Sequence, residues 1–80
     1  MFKRISRTEQ GRLQSLLREL RQDAGLRQAD VAAKLGQPQS FVSKYESGER
    51  RLDVLELRQV CRALGLSLEQ FAARLERALA

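Results

Sequence analysis

The chain has 80 residues, 42% of them hydrophobic, which is enough for one domain with one modest core. A single cysteine, Cys61, excludes a disulfide framework, and no stretch approaches the roughly 20 apolar residues of a membrane span, so we expect a cytoplasmic protein. The net charge of +5 favours a polyanionic partner, and most of it lies in residues 1–27, which carry seven bases and three acids.

Residues 1–7 form a basic amino-terminal arm, and residues 8–80 form the folded domain. Two interpretations of the arm stay open: Lys3, Arg4 and Arg7 either contact DNA phosphate or the minor groove, or belong to a solvated terminus.

Five helical patterns follow the arm. In the first, leucines spaced at i, i+3, i+4 and i+7 form one apolar face: Leu13, Leu16, Leu17 and Leu20. Ser6 with Glu9 fits a capping box, although Thr8 is a rival N-cap, and Gly25 is placed to end the helix.

The second and third patterns are short and are separated by a glycine. The second covers about 28–35 and ends at Gly36, and Arg27 is a poor N-cap for it. The third begins near Pro38, which a first turn tolerates, and ends at Ser47–Gly48.

The fourth and fifth patterns each begin with a capping box and a hydrophobic staple. In the fourth pattern the capping box is Asp53 with Glu56 and the staple is Leu52 with Leu57. In the fifth pattern the box is Ser67 with Gln70 and the staple is Leu66 with Phe71. Their apolar stripes are Leu57, Val60, Cys61 and Leu64, and then Leu68, Phe71, Ala72, Leu75 and Leu79. The distal part of the last stripe either completes the core or, with the region between the two helices, contacts a second copy of the chain.

Residues 28–46 have the pattern of a helix-turn-helix, in which the second helix enters a DNA major groove. Val42 and Tyr45 lie on one side of this second helix. The other side carries small polar groups around one lysine, with a glutamine at its start: Gln39, Ser40, Ser43, Lys44 and Ser47. Glutamine can bond adenine N6 and N7, lysine can donate to guanine, and serine can pair with several base edges.

The stretch GLRQADVAAKLGQPQSFVSKYESGERRLDVLELRQVCRALGLSLEQF resembles the Cro and phage-repressor type of helix-turn-helix, also called the xenobiotic-response-element (XRE) family of bacterial regulators. The resemblance covers roughly residues 12–75. It implies an all-α, compact five-helix, lambda-repressor-like domain that binds double-stranded DNA, commonly as a homodimer on a palindromic operator, without a cofactor or metal.

The resemblance also implies roles for individual residues. Base edges are contacted by Gln39, Ser40, Ser43 and Lys44, and the DNA backbone by Gln28, Ser47, Arg50 and perhaps Arg51. Arg21 and Glu46 match a pair that forms a buried salt bridge. Arg27 departs from the family pattern, which usually has Ser or Thr as the cap there.

Two functions from different classes remain in view. The first is a sequence-specific transcriptional regulator, and the alternative is a protein-interaction module, such as an antitoxin, with weak or secondary DNA binding. An enzyme is disfavoured because the chain has no histidine, no metal-ligand cluster and no glycine-rich phosphate loop. Phe41 either packs at the edge of the core or touches a thymine methyl or a sugar.

Overall fold

The computed structural model describes residues 6–80. Five α-helices follow one another along this part of the chain: α1 (Arg7–Asp23), α2 (Gln28–Leu35), α3 (Gln39–Ser47), α4 (Val54–Ala63) and α5 (Leu68–Leu79). Within residues 6–80 there is no β-strand, so the predicted all-α, five-helix fold is confirmed. None of these five helices is long and apolar enough to cross a membrane.

The amino end of α1 differs from its prediction in one respect. The Ser6 hydroxyl accepts the backbone N–H of Glu9 at 3.1 Å, so Ser6 is the N-cap and Thr8 lies inside the helix. Arg7, which we assigned to the arm, is the first residue of α1. Lys3 and Arg4 lie outside the described residues.

The predicted starts of α4 and α5 are confirmed. Asp53 accepts the Glu56 N–H at 2.7 Å, while the Glu56 carboxylate accepts the Asp53 N–H at 3.0 Å. Ser67 and Gln70 exchange the corresponding bonds at 3.0 Å and 2.9 Å. Each box satisfies two backbone donors that a helix start would otherwise leave without a partner.

The starts of α2 and α3 use other means. Arg27 is the N-cap of α2, and its side chain, which has only donors, accepts no capping hydrogen bond. The Asp30 carboxylate accepts the Arg27 backbone N–H at 2.8 Å, which is the bond that the third residue makes in a capping box. Pro38 is the N-cap of α3 and Gln39 is its first helical residue, so the predicted start near Pro38 is confirmed.

The core draws on all five helices, and its buried members are Leu16, Leu17, Leu20, Val31, Ala32, Val42, Tyr45, Val60, Cys61, Leu64 and Phe71. These positions follow the predicted stripes, except that Ala72 and Leu79 of the last stripe are exposed. Burial raises the pKa of the Cys61 thiol to about 11, which suits a packing role. Because Val42 and Tyr45 face this core, the opposite side of α3 faces outward.

Two glycines at the ends of α2 and α3 have left-handed backbone conformations. Gly36 has φ +64°, yet a Cβ built there would meet nothing within 4 Å. The positive φ, and not a lack of space, is therefore the reason for glycine at this position. At Gly48, with φ +86°, a Cβ would also collide with the side-chain amide of Gln14 on α1.

We expect Gly36→Ala and Gly48→Ala to destabilise the fold by similar amounts. The left-handed backbone costs an alanine about 1–2 kcal/mol at either position, and the Gln14 amide beside Gly48 is the far end of a flexible side chain that can turn away. Gly11→Ala is the matched control, because Gly11 lies within α1 with open space around it and should gain up to about 1 kcal/mol. Urea unfolding measures all three, and a much larger loss at Gly48 would contradict the free displacement of the Gln14 side chain.

Candidate nucleic-acid interface

The outward side of α3 carries the four side chains predicted to contact base edges. Gln39, Ser40, Ser43 and Lys44 are all exposed. On the inward side, Val42 is 0% and Tyr45 is 3% exposed, so α3 is anchored by one side only. The structure therefore brings these four polar side chains onto one accessible surface, which we call the polar face of α3.

Gln28 links the polar face of α3 to the interior. Its amide nitrogen donates to Glu46 Oε1 at 3.1 Å, and its amide oxygen accepts from Gln39 Nε2 at 3.4 Å. Gln28 is half-buried at the start of α2, directly beside Gln39, the first residue of α3. The orientation of the Gln39 side chain is thus influenced by a chain of hydrogen bonds that begins in the core.

Glu46 is the buried end of that chain, with 2% of its surface exposed. Arg21 binds its carboxylate in a bidentate way, with Nε at 2.7 Å from Oε2 and Nη2 at 3.0 Å from Oε1. A third Arg21 nitrogen donates to the Leu26 carbonyl at 2.9 Å. The hydrogen bonds to Glu46 raise the pKa of Arg21 above its ordinary value, so this guanidinium is always charged.

A second arginine, which the sequence did not single out, also reaches Glu46. Arg18 donates to the Glu46 backbone carbonyl at 3.4 Å, and its Nε lies 3.7 Å from Oε1. The Arg18 side chain is 50% exposed, against 12% for Arg21. Its position on α1, one turn before Arg21, is the only sequence signal that it would share this carboxylate.

Arg50 and Arg51, both predicted to contact the DNA backbone, differ in their surroundings. Arg50 forms a bidentate ion pair with Glu56, with nitrogen–oxygen distances of 2.7 Å and 3.2 Å. Its guanidinium carbon also lies 4.7 Å from the centre of the Phe41 ring. Arg51 is exposed and, within residues 6–80, makes no ion pair.

Phe41 is half-buried at the edge of the core. Its ring meets Tyr45 edge to face, with the ring centres 5.7 Å apart, and the Arg50 guanidinium lies over the face of the Phe41 ring. Of the two interpretations left open by the sequence, these contacts favour packing at the domain edge.

Two further polar groups lie at the ends of the helix-turn-helix. The Ser47 hydroxyl donates to the Lys44 carbonyl at 3.1 Å, so one backbone carbonyl in the last turn of α3 gains a hydrogen-bond donor. Arg27 forms an exposed ion pair with Asp30, and its side-chain and backbone hydrogen bonds lower the pKa of Asp30 to about 2. Sequence reasoning missed Asp30, although an acid three residues after a cap is a recognised signal.

Comparisons with known proteins agree with this helix-turn-helix geometry. A family model described as helix-turn-helix matches residues 17–77. The chain belongs to the helix-turn-helix family. An XRE-family like protein from Pseudomonas syringae pv. tomato str. DC3000 is 46% identical to it, with 88% of this chain and 85% of that chain covered and a TM-score of 0.81. The resemblance to XRE-type transcription regulators, which bind DNA, is thereby confirmed.

More distant helix-turn-helix structures share the fold alone. The restriction-modification controller protein C.Esp1396I has a TM-score of 0.83 at 20% identity, covering 92% of this chain and 96% of that chain. A tetramer of the same controller in complex with its natural 35 base-pair operator gives 0.82 at 20% identity, covering 91% and 96%. No curated protein matches the chain.

We expect Arg21→Ala to lower the free energy of unfolding of this helix-turn-helix by about 3–5 kcal/mol, because it leaves the buried Glu46 carboxylate without its main partner. Arg18→Ala is the matched control: its side chain is half-exposed, so its loss should cost about 1 kcal/mol or less. Thermal and urea unfolding measure both, and similar losses from the two variants would show that Arg21 has no special part in holding Glu46.

Proposed function

We propose that this protein is a sequence-specific transcriptional regulator that inserts α3 into the major groove of double-stranded DNA. The observation that carries the proposal is the polar face of α3, which is exposed while Val42 and Tyr45 anchor the other side. Small side chains let a helix approach base edges closely, and the groove of B-DNA is wide enough to admit an α-helix. Family membership supports the same function.

In this proposal the polar face supplies the base contacts. Gln39 bonds an adenine edge through its amide, Lys44 donates to guanine O6 or N7, and Ser40 and Ser43 pair with either donors or acceptors. The hydrogen bond from Gln39 to Gln28 restrains the reading side chain before DNA arrives. Such restraint reduces the side-chain freedom that binding must remove.

The backbone contacts are proposed at both ends of the polar face. Gln28 lies at the start of α2 and Ser47 at the end of α3, and we propose that each contacts the DNA backbone. Arg51 offers an exposed guanidinium just beyond α3, whereas Arg50 is held by Glu56. Phosphate contacts of this kind set register and orientation without specifying sequence.

We further propose that two copies bind a palindromic operator. Val54 and Leu55 are adjacent at the start of α4 and are 62% and 70% exposed, which is unusual for large apolar side chains. A two-fold partner would cover them and place two copies of α3 about one turn of DNA apart. The tetramer of the controller on its operator, which has the same fold, is a precedent for such assembly.

Selection of bound duplexes from a random pool tests the DNA-binding function, because it returns half-site sequence and spacing together. On the selected site, Gln39→Ala should cost about 1–3 kcal/mol and relax the preference at one base position. Gln59→Ala removes another exposed amide, on α4, and should leave the affinity unchanged. Equal weakening of selected and random DNA by Gln39→Ala would remove its base-reading role.

The salt dependence of binding separates the two functional classes. A DNA-binding regulator should lose affinity steeply as salt screens its phosphate contacts. If no duplex is enriched and binding does not respond to salt, the protein-interaction alternative takes its place.

The dimer is tested by Leu55→Glu, which puts a charge on the exposed apolar pair and should convert a dimer to a monomer in sedimentation equilibrium. Leu79→Glu is the comparison, because Leu79 is 36% exposed at the end of α5, where the sequence suggested the contact. Dissociation by Leu79→Glu alone would move the interface to α5. Dissociation by neither would contradict both placements.

A further inference from the structure

Two arginines that flank the helix-turn-helix are each held by a carboxylate from the same chain. The closest distance to the Glu56 carboxylate is 2.7 Å for the Arg50 guanidinium, and the closest distance to the Asp30 carboxylate is 3.0 Å for the Arg27 guanidinium. Neither guanidinium is buried: the Arg50 side chain is 39% exposed and the Arg27 side chain 81%. Both remain accessible to an anion from outside.

The Arg50 pair lies directly against the recognition helix. Arg50 stacks on Phe41 of α3 at 4.7 Å, and its backbone N–H donates to the Lys44 carbonyl at 3.1 Å. Glu56 reaches it from the first turn of α4. A phosphate approaching the segment between α3 and α4 therefore meets an arginine that already has a bidentate anion.

A carboxylate and a phosphate compete for the same fork of guanidinium donors, since both accept two parallel N–H bonds. An exposed ion pair is weak and is displaced by a better-placed anion. While it is paired with Glu56, Arg50 is not available to a phosphate at an arbitrary position. A phosphate held at the right position can still displace the carboxylate and bind Arg50. Residues 27–56, which contain both pairs, carry five bases and five acids, so the availability of each arginine matters for the attraction of this segment to DNA.

We propose that Glu56 is a specificity-determining residue that occupies Arg50 in place of DNA phosphate, so that Arg50 binds the backbone only in the register set by the cognate base contacts. This inference rests on the proposed DNA-binding function. Asp30 would do the same for Arg27 at the start of α2. On random DNA no base contacts fix the register, so no phosphate is held where it can displace the carboxylate. The affinity for random DNA therefore gains least from a contact between Arg50 and phosphate.

Glu56 also caps α4, and this structural role must be kept when its charge is removed. Its Oε1 accepts the Asp53 N–H at 3.0 Å, and glutamine at this position of a capping box accepts the same bond. Glu56→Gln is therefore the substitution to use. Glu69→Gln, in the first turn of α5, is the matched control, because it makes the same change in net charge at an exposed site away from the helix-turn-helix.

The experiment is a salt titration of the full chain against a short random-sequence duplex, read by fluorescence anisotropy. We expect Glu56→Gln to bind this duplex several-fold more tightly at low salt, with the slope of log K against log salt steeper by about 0.9, the value of one added phosphate contact. Its affinity for the selected operator should rise less, so the ratio of specific to random binding falls. Adding Arg50→Ala should abolish the gain.

The possible results distinguish the role of Glu56 from the DNA-binding function on which it rests. If wild type binds DNA and Glu56→Gln behaves as Glu69→Gln does, the inference is overturned and the DNA-binding function stands. If only Glu56→Gln binds, the carboxylate holds back binding and the inference is supported. If none of the variants binds any duplex, both proposals fail. Asp30→Asn, which keeps an acceptor for the Arg27 N–H, repeats the test at the second pair.

Discussion

The carboxylate of Glu46 is buried in the last turn of α3, and the arrangement of the first three helices depends on it. A buried charge without partners would be very costly, so its donors must arrive when α3 packs. The hydrogen-bond donors to the carboxylate come from two other helices: Arg21 from α1 and Gln28 from α2. Arg18 of α1 adds an ion-pair contact at 3.7 Å. Because these directional bonds have to be made together, they specify how α3 is rotated and seated. Apolar packing by Val42 and Tyr45 alone would set this less sharply.

The same network extends from the core to the surface that we propose reads DNA. Gln28 suits this task because an amide can donate with one atom and accept with the other. It donates to Glu46 inside the domain and accepts from Gln39 at the edge of the polar face. A leucine at position 28 would remove one donor from the Glu46 carboxylate and would make no hydrogen bond to Gln39. The stability of the fold and the geometry of the polar face are therefore linked through one side chain.

Most of the fold could be predicted from the sequence, because helix stripes, capping boxes and glycine ends depend on residues at most a few positions apart. The exposure of Ser40, Ser43 and Lys44 opposite Val42 follows from the same periodicity. The partners of the arginines could not be predicted in this way. The pairing of Arg50 with Glu56 requires the chain to fold back after Gly48, and the contact between Gly48 and Gln14 requires α1 to cross α3. Tertiary geometry decides both.

The charge of the helix-turn-helix shows what such geometry adds to composition. Counted by sequence, residues 28–52 are only weakly basic, which suggests a poor surface for DNA. The structure divides the cations into groups that differ in availability. Within residues 28–52, Arg50 has a partly exposed partner that an anion can displace, whereas Lys34, Lys44 and Arg51 are exposed. Of the arginines just before this segment, Arg21 is committed to a buried carboxylate and Arg27 has a partly exposed partner. Exposed cations attract any polyanion, whereas paired ones respond only where a phosphate outcompetes the carboxylate. A small net charge is therefore compatible with tight binding at one site, provided that the pairs are placed where that site presents its phosphates.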